Sequence, residues 1–323
     1  MTDKRSPFEI RGDVVPAGTR LDLQLPIASF PTGTPVTLPL SVLHGRHDGP
    51  TIWLNAAIHG DEIGGVAIIR RVLASLSANT LHGTLVVAPV VNVHGFLTGD
   101  RYLPDRRDLN RCFPGSAKGS LARRMAHLLM TEVVSRCSVG IDLHTGSDGR
   151  CNLPQIRADL SDDHTLEVAT AFGAPVMMHS KVRDGSLRGA ATKAGATVLL
   201  FEGGEALRFH QPSIQAGVVG VRRVMASLGM IEPVAAPERA PLRSSTSKWV
   251  RASRSGLAQI DCALGDDVTK GQVLGQIHDA MGRRLARLKS SADGIVVGIK
   301  VEPLVHRGDA MVHVATVTTQ DWK

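Results

Sequence analysis

The sequence predicts an α/β fold, a doubly wound and mostly parallel sheet, followed by a small all-β domain. Between Thr51 and Leu228, apolar strand-like runs alternate with stretches of helical period, the pattern of strands joined by crossover helices. Ile231–Ser245 is Pro-rich and breaks every period, as a linker does. From Lys248 onward, short β runs are separated by Gly-Asp turns. A chain of 323 residues exceeds one ordinary core, so about two domains are expected. The boundaries read this way are a lead-in over 1–35, an α/β domain over 36–230, a linker over 231–246 and a β domain over 247–323.

Residues 1–35 are punctuated by Pro16, Pro26, Pro31 and Pro35 and read as irregular. Val36–Leu43 reads as an edge strand, where Pro39 is tolerated. The run Thr51–Ala57 is apolar nearly throughout, which suits a strand buried on both faces. Glu62–Leu76 has helical spacing, and Gly83–Val91 is another buried strand. Asn92–Gly119, rich in Gly, Pro, Asp and Arg, is a long loop of the kind that usually carries function. Ser120–Val134 reads as a helix, Val139–His144 as a strand and Asp162–Phe172 as a helix. Ala174–Met178 and Ala196–Phe201 are strands flanking a helical piece over Leu187–Ala194, and Gln211–Leu228 is the last helix of the domain.

In the β domain, Leu264–Ile277 and Leu304–Val314 rhyme, which resembles the repeated half of a lipoyl/biotinyl-like barrel-sandwich. The carrier lysine of such a domain belongs in the hairpin Asp279–Arg284, and no lysine stands there. The domain therefore reads as a structural appendage, free to cover a pocket or to form a subunit contact in a homo-oligomer.

With 43% hydrophobic and 21% charged residues, the composition is that of an ordinary globular protein. The start Met1–Pro7 has no apolar core of a signal peptide, and no stretch approaches ~18 uninterrupted apolar residues. Cys112, Cys137, Cys151 and Cys262 are scattered without a pairing rhythm, as in a reducing compartment, so a cytoplasmic protein is expected, with no membrane partner. The net charge of +7 is spread out, and one Tyr, three Trp and seven Phe offer little for base stacking. No nucleic-acid footprint results, and a small acidic substrate accounts better for the charge.

The chemistry gathers where strands end. His59 and Glu62 stand where the Thr51–Ala57 strand passes into a helix, and a separation of three lets an imidazole and a carboxylate converge on one ion, zinc suiting both donors. His144 ends another strand, so it could complete a His/Glu/His set that leaves a fourth position for water, as catalytic zinc requires. Glu202, followed by Gly203 and Gly204, ends a third strand as a partly desolvated carboxylate suited to proton transfer, with Glu205 its nearest competitor. In the long loop, Asn110 and Arg111 could clamp a substrate carboxylate, since the guanidinium fork matches it bidentately.

Together, His59-Gly-Asp-Glu62, Arg101-Tyr102, Asp108-Leu-Asn-Arg111, Asp142-Leu-His144 and Glu202-Gly-Gly resemble the succinylglutamate desuccinylase/aspartoacylase family, which is related to the zinc carboxypeptidases. The resemblance spans roughly residues 40–230. It implies a sheet of zinc-carboxypeptidase type, one Zn2+ per chain on His59, Glu62 and His144, and Glu202 as general base and acid. It further implies Asn110 and Arg111 on the substrate carboxylate and Arg101 on the scissile carbonyl. The spacing from Arg101 to Asn110 is longer than in the aspartoacylases proper, which leaves Arg106 or Arg107 open for the carbonyl role. Glu205 is left for substrate or a loop amide. The tyrosine that aspartoacylases take from the C-terminal domain has no counterpart, since Tyr102 is the sole tyrosine. The expected activity is zinc-dependent hydrolysis of the amide bond of an N-acyl amino acid or related small amide, with a carboxypeptidase on short peptides and a non-catalytic binding protein as the alternatives.

Overall fold

The computed structural model describes residues 5–29 and 31–317, so most of the start Met1–Pro7, read as lacking the apolar core of a signal peptide, lies outside the described residues. β1 (Phe8–Ile10) and β2 (Asp13–Val15) form a small hairpin, and β3 (Thr19–Ser29) pairs antiparallel along β4 (Pro35–His44). The lead-in is thus regular, against the reading from its prolines. Leu21, Leu23 and Leu25 alternate with Arg20, Asp22 and Gln24, and the burial of Leu23 and Leu25 makes this period-two pattern decisive. β3 takes the edge and moves β4 inside. Pro39 is tolerated there because the next strand covers only Ser41–His44 of β4.

The alternation then unfolds as expected: β5 (His47–Ala56), α1 (Gly64–Ala74), β6 (His82–Ala88), α2 (Val93–Thr98), α3 (Leu121–Glu132) and β7 (Val139–Gly146). β8 (Arg150–Ala158), α4 (Asp163–Phe172), β9 (Val176–His179), α5 (Leu187–Lys193), β10 (Thr197–Glu205) and α6 (Gln211–Ser227) follow. The strands β10, β7, β5 and β6 run parallel at the centre, while β4 joins β6, and β8 joins β10, in antiparallel fashion. The sheet is therefore mixed rather than mostly parallel. Helices cover both faces. α1, α4 and α6 bury Ile68, Val168 and Val221 on one side, and α3 and α5 bury Met125 and Leu187 on the other.

β8 has no counterpart in the sequence reading, because Pro154 interrupts it. The proline is accommodated where β8 changes neighbours: β9 pairs only from Gln155 on, and the strand on the same edge before it pairs only up to Asn152. That earlier strand comes from the far end of the chain. β11 (Leu242–Ser244), inside the segment read as linker, adds in parallel to β9. Then come β12 (Thr246–Arg251), β13 (Gly256–Ile260), β14 (Asp267–Val268), β15 (Val273–His278), β16 (Arg284–Lys289), β17 (Gly294–Lys300), β18 (Leu304–Val305) and β19 (Ala310–Thr316). β17 pairs with β8, and β19 and β12 continue outward, so the C-terminal strands extend the main sheet. β16, β15, β13 and β18 form a second sheet, and both share a core of Leu274, Ile277, Leu288, Val296, Val305 and Val312.

At this junction His313 on β19 is buried, stacked on Trp249 with ring centroids 4.4 Å apart, with Nε2 2.8 Å from the Ser247 hydroxyl. Burial, aided by the charges of Arg157 and Arg150, pushes its imidazole down to about 3 from an ordinary 6.5. The folded protein therefore binds fewer protons than the unfolded chain below the ordinary value, and stability is lost as pH falls from about 6.5 towards 3. At pH 5 the loss amounts to about 2 kcal/mol. His313→Gln should accordingly lose about 2 kcal/mol less than the parent between pH 7 and pH 5 in urea unfolding. Parallel pH dependences for the two proteins would remove His313 from the acid response.

Candidate active site

β5 delivers the site through a deliberate change of direction. Ala57 adopts a left-handed φ of 49°, and backbone bonds from Val91 to the Ala56 carbonyl (3.0 Å) and from Asn92 to the Ala57 carbonyl (2.8 Å) hold it there. Gly60 lets this turn lie directly against the backbone of Gly95 and Phe96, where a Cβ has no room. At the start of α1, Gly65 lies so close to β5 and β7 that a Cβ would stand 2.7 Å from that of Ala56 and 2.8 Å from that of Leu143. The helix start carrying Glu62 is thereby set against both strands.

His59, Glu62 and His144 come together and are all buried. His59 Nδ1 lies 2.8 Å from Glu62 Oε1, and His144 Nδ1 lies 2.7 Å from Glu62 Oε2. The Thr145 amide donates to Glu62 Oε2 at 3.2 Å. Burial alone would raise the Glu62 carboxyl, but the charges and hydrogen bonds of the two histidines hold it well below the usual carboxylate range. Burial would lower both imidazoles, and the surrounding carboxylates reverse that: Glu62 and Asp108 raise His59, and Asp142 and Glu62 raise His144 well above its ordinary value. Two nitrogens and a carboxylate, each able to offer one donor atom within 4.8 Å of the others, could hold a metal ion, and the donor set suits zinc.

Each histidine also has a carboxylate at its other ring nitrogen. His59 Nε2 is 3.2 Å from Asp108 Oδ1, and His144 Nε2 is 2.9 Å from Asp142 Oδ2. This is the outer arrangement that orients ligating imidazoles. Arg101 reaches both Glu62 Oε1 and Asp108 Oδ2 at 3.1 Å, which brings its guanidinium to the edge of the trio. Burial would raise the Asp108 carboxyl, yet His59 first, then Arg101 and Arg111, keep it well below its ordinary value.

Glu202 and His144 meet through strand register: Glu202 on β10 stands beside His144 on β7. Asn152 on β8 donates to Glu202 Oε2 at 2.8 Å. Glu205, beyond the irregularity in β10, pairs instead with Arg208 at 3.1 Å and does not line the cleft. Asn110 and Arg111 both line it. Asn110 Oδ1 accepts the Leu187 amide at the start of α5 (2.9 Å), which turns its NH2 group towards other partners. Arg111 donates back to the Asn110 carbonyl at 2.6 Å. Arg106 and Arg107 are exposed, Arg107 lies 3.8 Å from Asp105, and neither lines the cleft.

The cleft, about 490 Å³, falls in the size range of small-molecule sites. Its walls include residues that no sequence pattern announced. Asn152 and Arg157 come from the unforeseen β8. Buried Arg188 is held by the Ser180 carbonyl (2.8 Å) and the Lys181 carbonyl (3.0 Å), and Trp249 comes from the C-terminal strands. A polar residue inside an apolar run was the one available signal, and it marks Asn55 rather than any of these.

Residues 48–228 match the family model described as the succinylglutamate desuccinylase/aspartoacylase catalytic domain. The chain belongs to this family. It is 28% identical over 310 residues to the N-alpha-acetyl-L-2,4-diaminobutyric acid deacetylase of Halomonas elongata, covering 91% of this chain and 90% of that protein. The product-bound ectoine utilization protein EutE (DoeB) of Ruegeria pomeroyi superposes with a TM-score of 0.84 at 25% identity, over 98% of this chain and 100% of the other. A succinylglutamate desuccinylase/aspartoacylase from Rhodobacter sphaeroides superposes with a TM-score of 0.81 at 27% identity, over 93% of this chain and 96% of the other. Among the described residues, no helix is long and apolar enough to cross a membrane.

Proposed function

We propose that the protein is a zinc-dependent hydrolase that removes the acyl group from an N-acyl amino acid or a closely related small amide. The observation that carries this reading is the convergence of His59, Glu62 and His144 in a cleft that also holds Glu202. Family membership supports it, and so does the deacetylase relative, which is named for an acetylated diamino acid. The barrel-sandwich-like C-terminal region is read as a structural part that closes the cleft with Trp249.

Bound on His59, Glu62 and His144, zinc would acidify a water and polarise the scissile carbonyl. Glu202 takes a proton from the attacking water at a carboxylate oxygen as the water oxygen adds to the carbonyl carbon, and passes it to the nitrogen as the C–N bond breaks. A free amine and a carboxylic acid result. Arg101 donates to the charge that develops on the carbonyl oxygen. The Asn110 NH2 group and Arg111 hold the amino-acid carboxylate and so orient the amide. Asp108 and Asp142 keep the two imidazoles turned so that one nitrogen of each faces the centre.

The test combines zinc content with amine release from a panel of N-acetyl and N-succinyl amino acids, including basic ones, alongside short peptides. About one zinc per chain and chelator-sensitive release from the N-acyl amino acids is the expected result. Cleavage confined to the peptides would transfer the site to carboxypeptidase chemistry, and absence of zinc after reconstitution would overturn the reading.

A further inference from the structure

The polar residue that interrupts β5 belongs to a buried chain of donors and acceptors running into the metal trio. Trp53, Asn55 and Asp142 are all inaccessible to solvent. The indole Nε1 of Trp53 lies 2.9 Å from Asn55 Oδ1, and Asn55 Nδ2 lies 2.5 Å from Asp142 Oδ1. We propose that Trp53 and Asn55 are positioning residues which, through Asp142, fix the tautomer and orientation of His144 towards a bound metal. The proposal rests on the metal-hydrolase reading above.

Direction along the chain follows from what each group can do. An indole N–H only donates, so the oxygen of the Asn55 amide must face Trp53 and its NH2 must face Asp142. An amide NH2 also only donates, so that oxygen of Asp142 is an acceptor. The other oxygen, Oδ2, stands 2.9 Å from His144 Nε2 as an ion-pair contact too bent to count as a hydrogen bond, and neither atom has a hydrogen-bond partner among the described residues. With Asp142 cast as acceptor at one oxygen, Nε2–H of His144 is its matching donor at the other. In its 2.7 Å contact with the acceptor Glu62 Oε2, Nδ1 of His144 is the donor, and with Nε2–H directed at Asp142 it is the nitrogen that would release its proton and turn a lone pair to a bound metal. Reversing any link would set two donors or two acceptors against each other in a place water does not reach.

The sheet is arranged around this chain. Trp53 and Asn55 stand beside Gly140 and Asp142 in the β5–β7 ladder, and His144 follows two residues further on the same face. A side chain at position 140 would occupy the space of the indole ring, so the glycine is what seats Trp53. Glycine, carboxylate and imidazole thus alternate along β7 as seat, acceptor and ligand.

The deciding measurement is zinc affinity by competition with a chelating indicator. Parent, Asn55→Ala, Trp53→Phe and Leu54→Val would be compared, the last altering the opposite face of the same strand. Asn55→Ala should bind zinc about tenfold or more weakly, the scale on which outer partners of metal ligands act. Trp53→Phe, which keeps an aromatic ring and removes only the donor edge, should weaken binding in the same direction, and Leu54→Val should match the parent. Parent-like affinity in Asn55→Ala, or in Trp53→Phe if Asn55→Ala does not fold, would overturn the assignment. Equal weakening in Leu54→Val would do so as well, by making the effect a general loosening of the strand. Nitrogen-15 shifts of labelled histidine in the zinc-loaded parent provide a check without mutation, with His144 Nε2 expected to be protonated and the opposite tautomer counting against the proposal. A parent that binds no zinc at all would instead bring down the hydrolase reading and this inference together.

Discussion

His59→Ala is expected to lose the metal and, with it, at least about 10³-fold in hydrolysis, since metal activation of water and carbonyl supplies several kcal/mol of the barrier reduction. The imidazole is one of the three donors that meet at the centre, and it is the one whose far nitrogen is anchored through Asp108 to Arg101. Its removal leaves Glu62 with His144, the Thr145 amide and Arg101, enough partners to keep the buried carboxylate satisfied. The variant should therefore fold, while two remaining ligands hold zinc poorly. Metal analysis and turnover are to be read beside the chelated parent, which should be folded and just as inactive. A metal-free His59→Ala protein with parent activity would sink the zinc assignment.

The candidate trio was legible because His59 and Glu62 follow the carboxyl end of β5 and His144 lies at that of β7, in the parallel centre of the sheet, where such folds gather their ligands. Apolar runs locate β5, β7 and β10, and the residue after each run is then conspicuous. What links those ends was not legible, because it depends on register. Asn55 beside Asp142 and Glu202 beside His144 are pairings between strands far apart in sequence, and no local pattern states them. β8 was hidden by Pro154, which is tolerated only because the strand changes neighbours there, and with β8 went Asn152 and Arg157. The prolines of the lead-in concealed β3 in the same way, although its leucines alternate. Trp249 reaches the cleft only because C-terminal strands add to β8, an edge that could not be anticipated without β8 itself. The expectation of a mostly parallel sheet failed because only the centre follows the crossover rule: among the antiparallel flanks, prolines masked β3 and β8, while β4 and the C-terminal strands were read as strands without their place in this sheet.

Glu202→Gln is the complementary case, with zinc retained and turnover reduced about 10²–10⁴-fold, the range in which a general acid-base group acts. The substitution keeps the size of the side chain. Asn152 Nδ2, which donates to Glu202 Oε2 at 2.8 Å, can donate equally to the glutamine oxygen, so the local structure has no reason to shift. None of the three metal-facing residues touches Glu202 through a hydrogen bond, and zinc affinity should accordingly stay at the parent level. The amide cannot accept the proton of the attacking water or deliver it to the leaving nitrogen, so the loss should fall on kcat, with KM nearly unchanged because Asn110 and Arg111 still hold the substrate. Glu205→Gln serves as the control: that carboxylate is engaged with Arg208 outside the cleft, and its replacement should leave kcat near the parent value. A Glu202→Gln enzyme that turns over near normally, or a Glu205→Gln enzyme that does not, would move the proton-transfer role along β10. The expected pattern joins a carboxylate that moves the proton to a separate trio that holds the metal, each removable without the other.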